Sequence, residues 1–93
     1  MGTLTLNDGT VLQDSYVLLS SGSLFVYVQQ EGMTIVELFE LLCDPEKTAK
    51  IVYTQVNGET ITFTGYKKLT SVRDEENGMF TAVLKEGEMD VER

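Results

Sequence analysis

Histidine is absent from the 93-residue chain, and Cys43 is its only cysteine. Ser-His and Cys-His nucleophile systems are therefore excluded, and so is the commonest metal ligand. Cys43 lies near the end of an apolar segment with a helical pattern, where the helix dipole disfavours a thiolate. We expect a buried structural thiol there. No glycine-rich phosphate loop occurs, because NDGT and NGET lack both a GxGxxG pattern and a GKS or GKT ending.

Carboxylates are the remaining groups that could do chemistry. Glu37 and Glu40 share the back of the predicted helix, and Asp44 and Glu46 surround its end. Paired carboxylates cleave glycosidic bonds only across a concave sugar-lined cleft, and a short chain without tryptophan leaves little room for one. The acids at 74–76 lack the EF-hand spacing of cation ligands. We interpret these acids as solvated surface groups and predict no enzyme, no metal and no cofactor.

The charge balance restricts the kinds of partner. Fifteen acidic residues against seven basic ones give a net charge of −8, which disfavours direct nucleic-acid binding because phosphates require Lys and Arg. An acidic surface could instead imitate nucleic acid toward the basic groove of another protein. The longest apolar runs, LFVYV and YVLL, are far shorter than the ~20 residues of a membrane span. A lone cysteine and no glycosylation sequon fit an intracellular protein.

Turn signals divide the chain into short strands. A three-residue loop at NDG predicts a hairpin that sets Leu4 opposite Leu12. The runs YVLL and LFVYV flank SSGS, which predicts a second hairpin or tight bend at the centre of the sheet, since both faces are apolar. Asn57-Gly58 predicts a hairpin with a type I′ turn. That turn pairs Val52 with Phe63 and Tyr53 with Thr62, and the alternation directs Ile61 and Phe63 inward.

The last hairpin has two possible registers. A two-residue turn aligns Val72 with Val83, and a four-residue loop aligns Leu69 with Leu84. The pattern indicates one globular domain over residues 1–86 and an acidic, flexible tail over residues 87–93. Six or seven short strands joined by tight turns favour an α+β fold. We predict a mostly antiparallel, strongly bent sheet or small open barrel with one central helix packed on it.

The segment MTIVELFELLCDP, residues 33–45, is the predicted helix. Thr34 is a suitable N-cap, Glu37 completes a capping box, and Met33 can pack on Leu38. The helix ends before Pro45, because a residue that precedes proline avoids the helical region. Asp44 can cap one further turn.

The apolar arc of this helix, roughly 220° wide, is broader than one sheet requires. The core stripe is predicted to contain Ile35, Leu38, Phe39 and Leu42, with Val36 and Cys43 on one flank and Leu41 on the other. Either the sheet or a loop covers the surplus, or the flank contacts another chain. Tyrosine is enriched at interfaces. The candidate protein-binding residues are Val36, Glu37, Glu40, Leu41, Tyr53 and Tyr66.

Three segments carry a resemblance: TLTLNDGT, GMTIVELFELLCDPEKTAKIVYT and TGYKKLTSVRDEENG. Together they resemble small acidic uncharacterised proteins encoded in phage and prophage regions of gut Firmicutes. The resemblance covers nearly the whole chain and implies a mobile-element context in which short proteins act by binding. It thus implies a protein that is cytoplasmic in the host cell or virion-associated. The hypothesis is a structural or assembly accessory that binds a protein partner or itself. The alternatives are an acidic inhibitor of a host defence protein and a small-molecule binder.

Overall fold

The computed structural model describes residues 2–75 and 78–87, which form an antiparallel α+β fold as predicted. The described residues form one sheet of seven strands in the order β5-β4-β1-β2-β3-β7-β6, with a single helix inserted between β3 and β4. The elements are β1 Gly2–Thr5, β2 Val11–Ser20, β3 Ser23–Val28, α1 Ile35–Leu42, β4 Lys50–Thr54, β5 Thr60–Thr64, β6 Lys68–Asp74 and β7 Phe80–Lys85.

The sheet is open but strongly curled. Strands β5 and β6 lie at its opposite edges although they follow each other in the chain. Seven strands laid flat would separate those edges by about 29 Å, whereas the connection from Thr64 to Lys68 spans at most about 14 Å. The sheet must therefore bend until its edges approach. The Gly87 amide donates to the Gly65 carbonyl (2.9 Å) and so ties the end of β7 to this connection.

The concave side of the sheet, which we call the inner face, carries the core. Leu4 pairs with Leu12, Leu24 pairs with Leu84, and these side chains are fully or almost fully buried. Helix α1 lies closest to β6 and contributes two fully buried leucines. The buried apolar residues are Leu4, Leu6, Leu12, Leu24, Val26, Val28, Leu38, Leu42, Ile51, Phe80, Ala82 and Leu84.

The first hairpin has the predicted register, with Leu4 opposite Leu12. Gly9 adopts φ +93°, and its amide donates to the Leu6 carbonyl (2.9 Å), which closes a three-residue loop. The Asp8 carboxylate accepts a hydrogen bond from the Thr10 amide (3.0 Å). This hydrogen bond lowers the pKa of the Asp8 carboxyl below its ordinary value, because it favours the charged form.

The register predicted for the β4–β5 hairpin is wrong by one residue. Ile51, not Val52, lies opposite Phe63, and Tyr53 lies opposite Ile61. The loop has three residues, since the Gly58 amide donates to the Gln55 carbonyl (2.9 Å) and Gly58 adopts φ +92°. The same Asn-Gly pair satisfies this loop as well as a type I′ turn. The observed register puts Ile51 in the core, and Ile61 lies on the inner face but stays 42% exposed.

Strands β2 and β3 form a hairpin at the centre of the sheet, as predicted. Ser21 and Gly22 both have positive φ, at +54° and +78°. Such a pair makes a two-residue loop between Ser20 and Ser23 whose twist matches the strands. The convex side, which we call the outer face, carries Tyr16 stacked on Tyr27 with ring centroids 4.4 Å apart.

The last hairpin combines a predicted pair with an irregularity. Leu69 lies opposite Leu84, so the alternative that aligns Val72 with Val83 is wrong. A register shift between Leu69 and Ser71 then places Val72 opposite Ala82, because a bulge adds one residue to β6. Of the predicted tail over residues 87–93, only Gly87 belongs to the described residues.

Helix α1 begins at the predicted capping box. The Thr34 hydroxyl accepts from the Glu37 amide (3.1 Å), and the Glu37 carboxylate accepts from the Thr34 amide (2.9 Å). The helix ends at Leu42, with Cys43 as its C-cap. The Asp44 carboxylate then accepts from the Glu46 amide (3.0 Å), which caps the turn that follows.

The capping box predicts a specific loss of stability. Replacing Thr34→Ala removes the acceptor for the Glu37 amide, and we expect the free energy of unfolding to fall by about 1 kcal/mol. Thr34→Ser keeps a hydroxyl acceptor and serves as the control. Urea denaturation followed by circular dichroism measures both. Equal midpoints for the alanine and serine variants would show that the capping box does not stabilise this helix.

Candidate functional site

Helix α1 presents one apolar flank to solvent. Val36 is 60% exposed and Phe39 is 50% exposed, whereas Leu38 and Leu42 are fully buried. The prediction that Phe39 belongs to the core stripe is therefore wrong. Ile35 and Leu41 are half-buried and pack against the core.

A rotation of the helix about its axis explains why Leu41, rather than Phe39, packs against the core. At ~100° per residue, the buried set of Ile35, Leu38, Leu41 and Leu42 is centred roughly 40° from the predicted stripe. With this rotation Leu41 packs against the core and Phe39 turns outward. Val36 and Cys43 remain together on the flank, as predicted, and Phe39 joins them. The surplus apolar surface is thus only partly covered by the curled sheet.

Phe39 and Cys43 form one wall of a groove, and strand β6 forms the other. This α1–β6 groove has a volume of about 260 Å³ and is lined by Phe39, Cys43, Leu69, Thr70, Ser71 and Val72. Its surface is mainly apolar. The bulge of β6 belongs to this lining, and the Thr70 hydroxyl donates to the Val83 carbonyl (3.0 Å).

Cys43 is half-buried rather than fully buried as expected. Its amide donates to the Phe39 carbonyl (2.9 Å), and its thiol donates to the Glu40 carbonyl (3.6 Å). These bonds fix the thiol at the end of the helix, where it contributes an apolar surface to the α1–β6 groove.

The predicted acidic site residues lie beside the exposed flank. Glu37 and Glu40 are both exposed. The Glu37 carboxylate is held in the capping box, so Glu40 is the acid of the helix back that remains outside it. Carboxylates beside an apolar flank favour a partner whose apolar side chain has basic neighbours.

The predicted tyrosine anchors do not lie on this flank. Tyr53 is half-buried against the core and pairs with Leu4. Tyr66 is also half-buried, and its ring meets Phe63 edge to face with centroids 6.2 Å apart. Both rings support the inner face of the sheet, so they are less available to a partner than Val36 and Phe39.

A second apolar surface lies on the outer face and was missed by sequence reasoning. This outer-face patch runs across β2, β3 and β7, and Leu18, opposite Phe25, is 53% exposed. The signal for it was that YVLL and LFVYV are apolar on both faces of the strands, which we interpreted only as marking the centre of the sheet. The patch consists of Tyr16, Leu18, Phe25, Tyr27 and Val83.

The carboxylates form no candidate metal centre within residues 2–75 and 78–87, where no group of three or more potential ligands occurs. Glu75 instead pairs with the Arg73 guanidinium at 3.6 Å. Over the same residues, no helix is long and apolar enough to cross a membrane.

Comparison of the chain with protein-family models, with curated proteins and with solved structures finds no match in any of the three. The resemblance to small acidic phage and prophage proteins therefore stays a prediction.

Two positions on different sides of the helix test the assignment of the exposed flank. Val36→Asp places a charge in solvent near the positive end of the helix, so we expect the free energy of unfolding to change by less than about 0.5 kcal/mol. Leu41→Asp places the same charge against the core, and we expect a loss of about 2 kcal/mol or more. Urea denaturation measures both. Equal losses would mean that the two side chains are equally buried.

Proposed function

We propose that this chain is a non-enzymatic protein-binding module that docks a partner on the α1–β6 groove and the adjoining flank of α1. The observation that carries the proposal is the exposure of Phe39 and Val36 beside that groove. Contiguous apolar surface of this kind, bordered by polar residues, marks sites where other proteins bind.

The size of the groove favours a side chain over a metabolite. Its volume of about 260 Å³ is below the roughly 300–1,000 Å³ that small-molecule pockets have. A wider concavity of about 420 Å³ is lined by Asn7, Pro45, Glu46, Ala49 and Lys67. Polar groups there already bond to each other, since the Asn7 amide nitrogen donates to the Glu46 carbonyl (3.0 Å).

The charges near the groove indicate which side chains a partner would carry. Glu40 is exposed on the helix beside the groove, and the chain as a whole carries −8. The basic residues of β6 lie on the other side of the sheet, because Arg73 pairs with Thr81 while Leu69 and Val72 face the groove. The partner that fits is a protein segment with one apolar anchor side chain and lysine or arginine next to it.

The resemblance to phage and prophage proteins suggests where this binding takes place. In phage and prophage regions, a small docking module would act as a structural or assembly accessory. The protein would then be recovered in purified particles, and mass spectrometry of such particles tests that part of the proposal.

A matched set of short peptides tests the docking site itself. We expect a peptide with a leucine between lysines to shift the NMR resonances of Phe39, Cys43 and Val72. A peptide with serine in place of leucine loses the anchor, which is worth about 1.5–3 kcal/mol when buried, so binding should weaken at least about tenfold. A leucine peptide flanked by glutamates should also bind more weakly, because it meets Glu40.

Two protein variants control the experiment. Phe39→Ser removes one wall of the groove and should abolish the shifts. Val11→Ser removes an exposed apolar residue of β2 and should leave them unchanged. Shifts that do not depend on the leucine, or that survive Phe39→Ser, would contradict the proposed site.

A further inference from the structure

The two edges of the sheet differ in how they are protected. Strand β6 carries Lys68, Arg73 and Asp74 and contains a bulge, which are the features that block pairing with another strand. Strand β5 has the sequence TITFT, with no charge and no proline, and its register with β4 is regular throughout. Four of its five residues are exposed. Of the two edges, β5 is therefore the one that can accept a further strand.

The pairing of β5 with β4 determines which backbone amides and carbonyls of β5 lie on its free edge. The Gln55 amide donates to the Glu59 carbonyl (2.7 Å), so these two residues are a hydrogen-bonded pair. Such pairs alternate along an antiparallel ladder, which makes Ile61 and Phe63 the residues that bond to β4. The backbone amides and carbonyls at 60, 62 and 64 consequently point away from the sheet.

The free edge of β5 can form hydrogen bonds with the same edge of a second copy of the chain. Antiparallel pairing about a two-fold axis at Thr62 sets Thr62 against Thr62 of a second copy, and Thr60 against Thr64. All three pairs are then hydrogen-bonded pairs, with on the order of six backbone hydrogen bonds. Ile61, which is 42% exposed, comes opposite Phe63 of the other copy on the inner face. Threonine pairs and aliphatic–aromatic pairs are favourable cross-strand neighbours.

We propose that β5 is a homodimerisation edge, through which two copies join their sheets by antiparallel β5–β5 pairing centred on Thr62. A single strand pair makes a small interface, of the size found in transient complexes. The dimer is therefore concentration-dependent.

Sedimentation equilibrium with charge-swap variants tests the pairing. In ~0.15 M salt, which screens the net charge of each copy, we expect the average mass to rise from one chain toward two between about 10 µM and about 1 mM. Thr62→Lys and Thr62→Glu each put like charges opposite one another and should give one-chain mass throughout. An equal mixture of the two variants should recover two-chain mass, since lysine then faces glutamate.

Matched controls separate this edge from other contacts. Gln13→Lys adds the same charge at an exposed residue of β2 and should associate like the unmodified chain. Thr62→Lys should still bind the leucine peptide described above, so failure of the dimer and failure of the docking site are distinguishable. One-chain mass for the unmodified chain at every concentration overturns the proposal. So does a dimer that survives Thr62→Lys, or one that Phe39→Ser removes.

Disulfide formation tests the register. In a Cys43→Ser background, Thr62→Cys should cross-link to its own copy on mild oxidation, because hydrogen-bonded partners have Cα atoms about 5.5 Å apart. Thr60→Cys should not cross-link alone, since two such residues lie about 13 Å apart along the strands. Mixed with Thr64→Cys, it should form the mixed dimer. Equal cross-linking of Thr60→Cys and Thr62→Cys alone would overturn the two-fold axis at Thr62.

Discussion

The short connection between β5 and β6 is the constraint on which the rest of this structure depends. Three residues, Gly65 to Lys67, join strands that lie at opposite edges of a seven-stranded sheet. The chain can satisfy that distance only if the sheet curls. The curl produces a concave inner face deep enough for the core of a small domain. The hydrogen bond from Gly87 to Gly65 holds the curl from the other side.

The same constraint positions the helix and its exposed flank. The open side of the curled sheet is where α1 packs, closest to β6. Leu38 and Leu42 complete the core there, and part of the apolar surface that remains on the helix faces Leu69 and Val72 of β6 across the groove. A groove results where a closed barrel would have left none. The free edge of β5 also exists because the sheet stops short of closing.

Local signals in the sequence predicted much of this fold. The NDG loop, the capping box at Thr34 and the paired leucines of β1 and β2 each depend on residues close together in the chain. The α+β class and the bent sheet followed from the hairpin spacing.

The parts that were not predicted depend on distant contacts or on competing turn types. Asn57-Gly58 suits two loop lengths, and the burial of Ile51, which no local rule reports, decides between them. The rotation of the helix, which leaves Phe39 exposed and packs Leu41 on the core, depends on its contacts with residues far away in the chain. Which residues of the helix could contact a partner was therefore only partly readable from its periodicity.

The two three-residue loops bear on the chemical ageing of the molecule. Asn-Gly peptides lose ammonia over time, and Asn57 lies in such a peptide within an exposed loop. In its loop the Asn57 side chain accepts a hydrogen bond from the Glu59 amide (3.0 Å), just as Asp8 accepts one from Thr10 in the first loop. Deamidation to aspartate would thus turn the second loop into a copy of the first and keep its acceptor. The isoaspartyl product has an extra carbon in its backbone, which the first loop lacks. That isomer would therefore change the geometry of the β4–β5 hairpin.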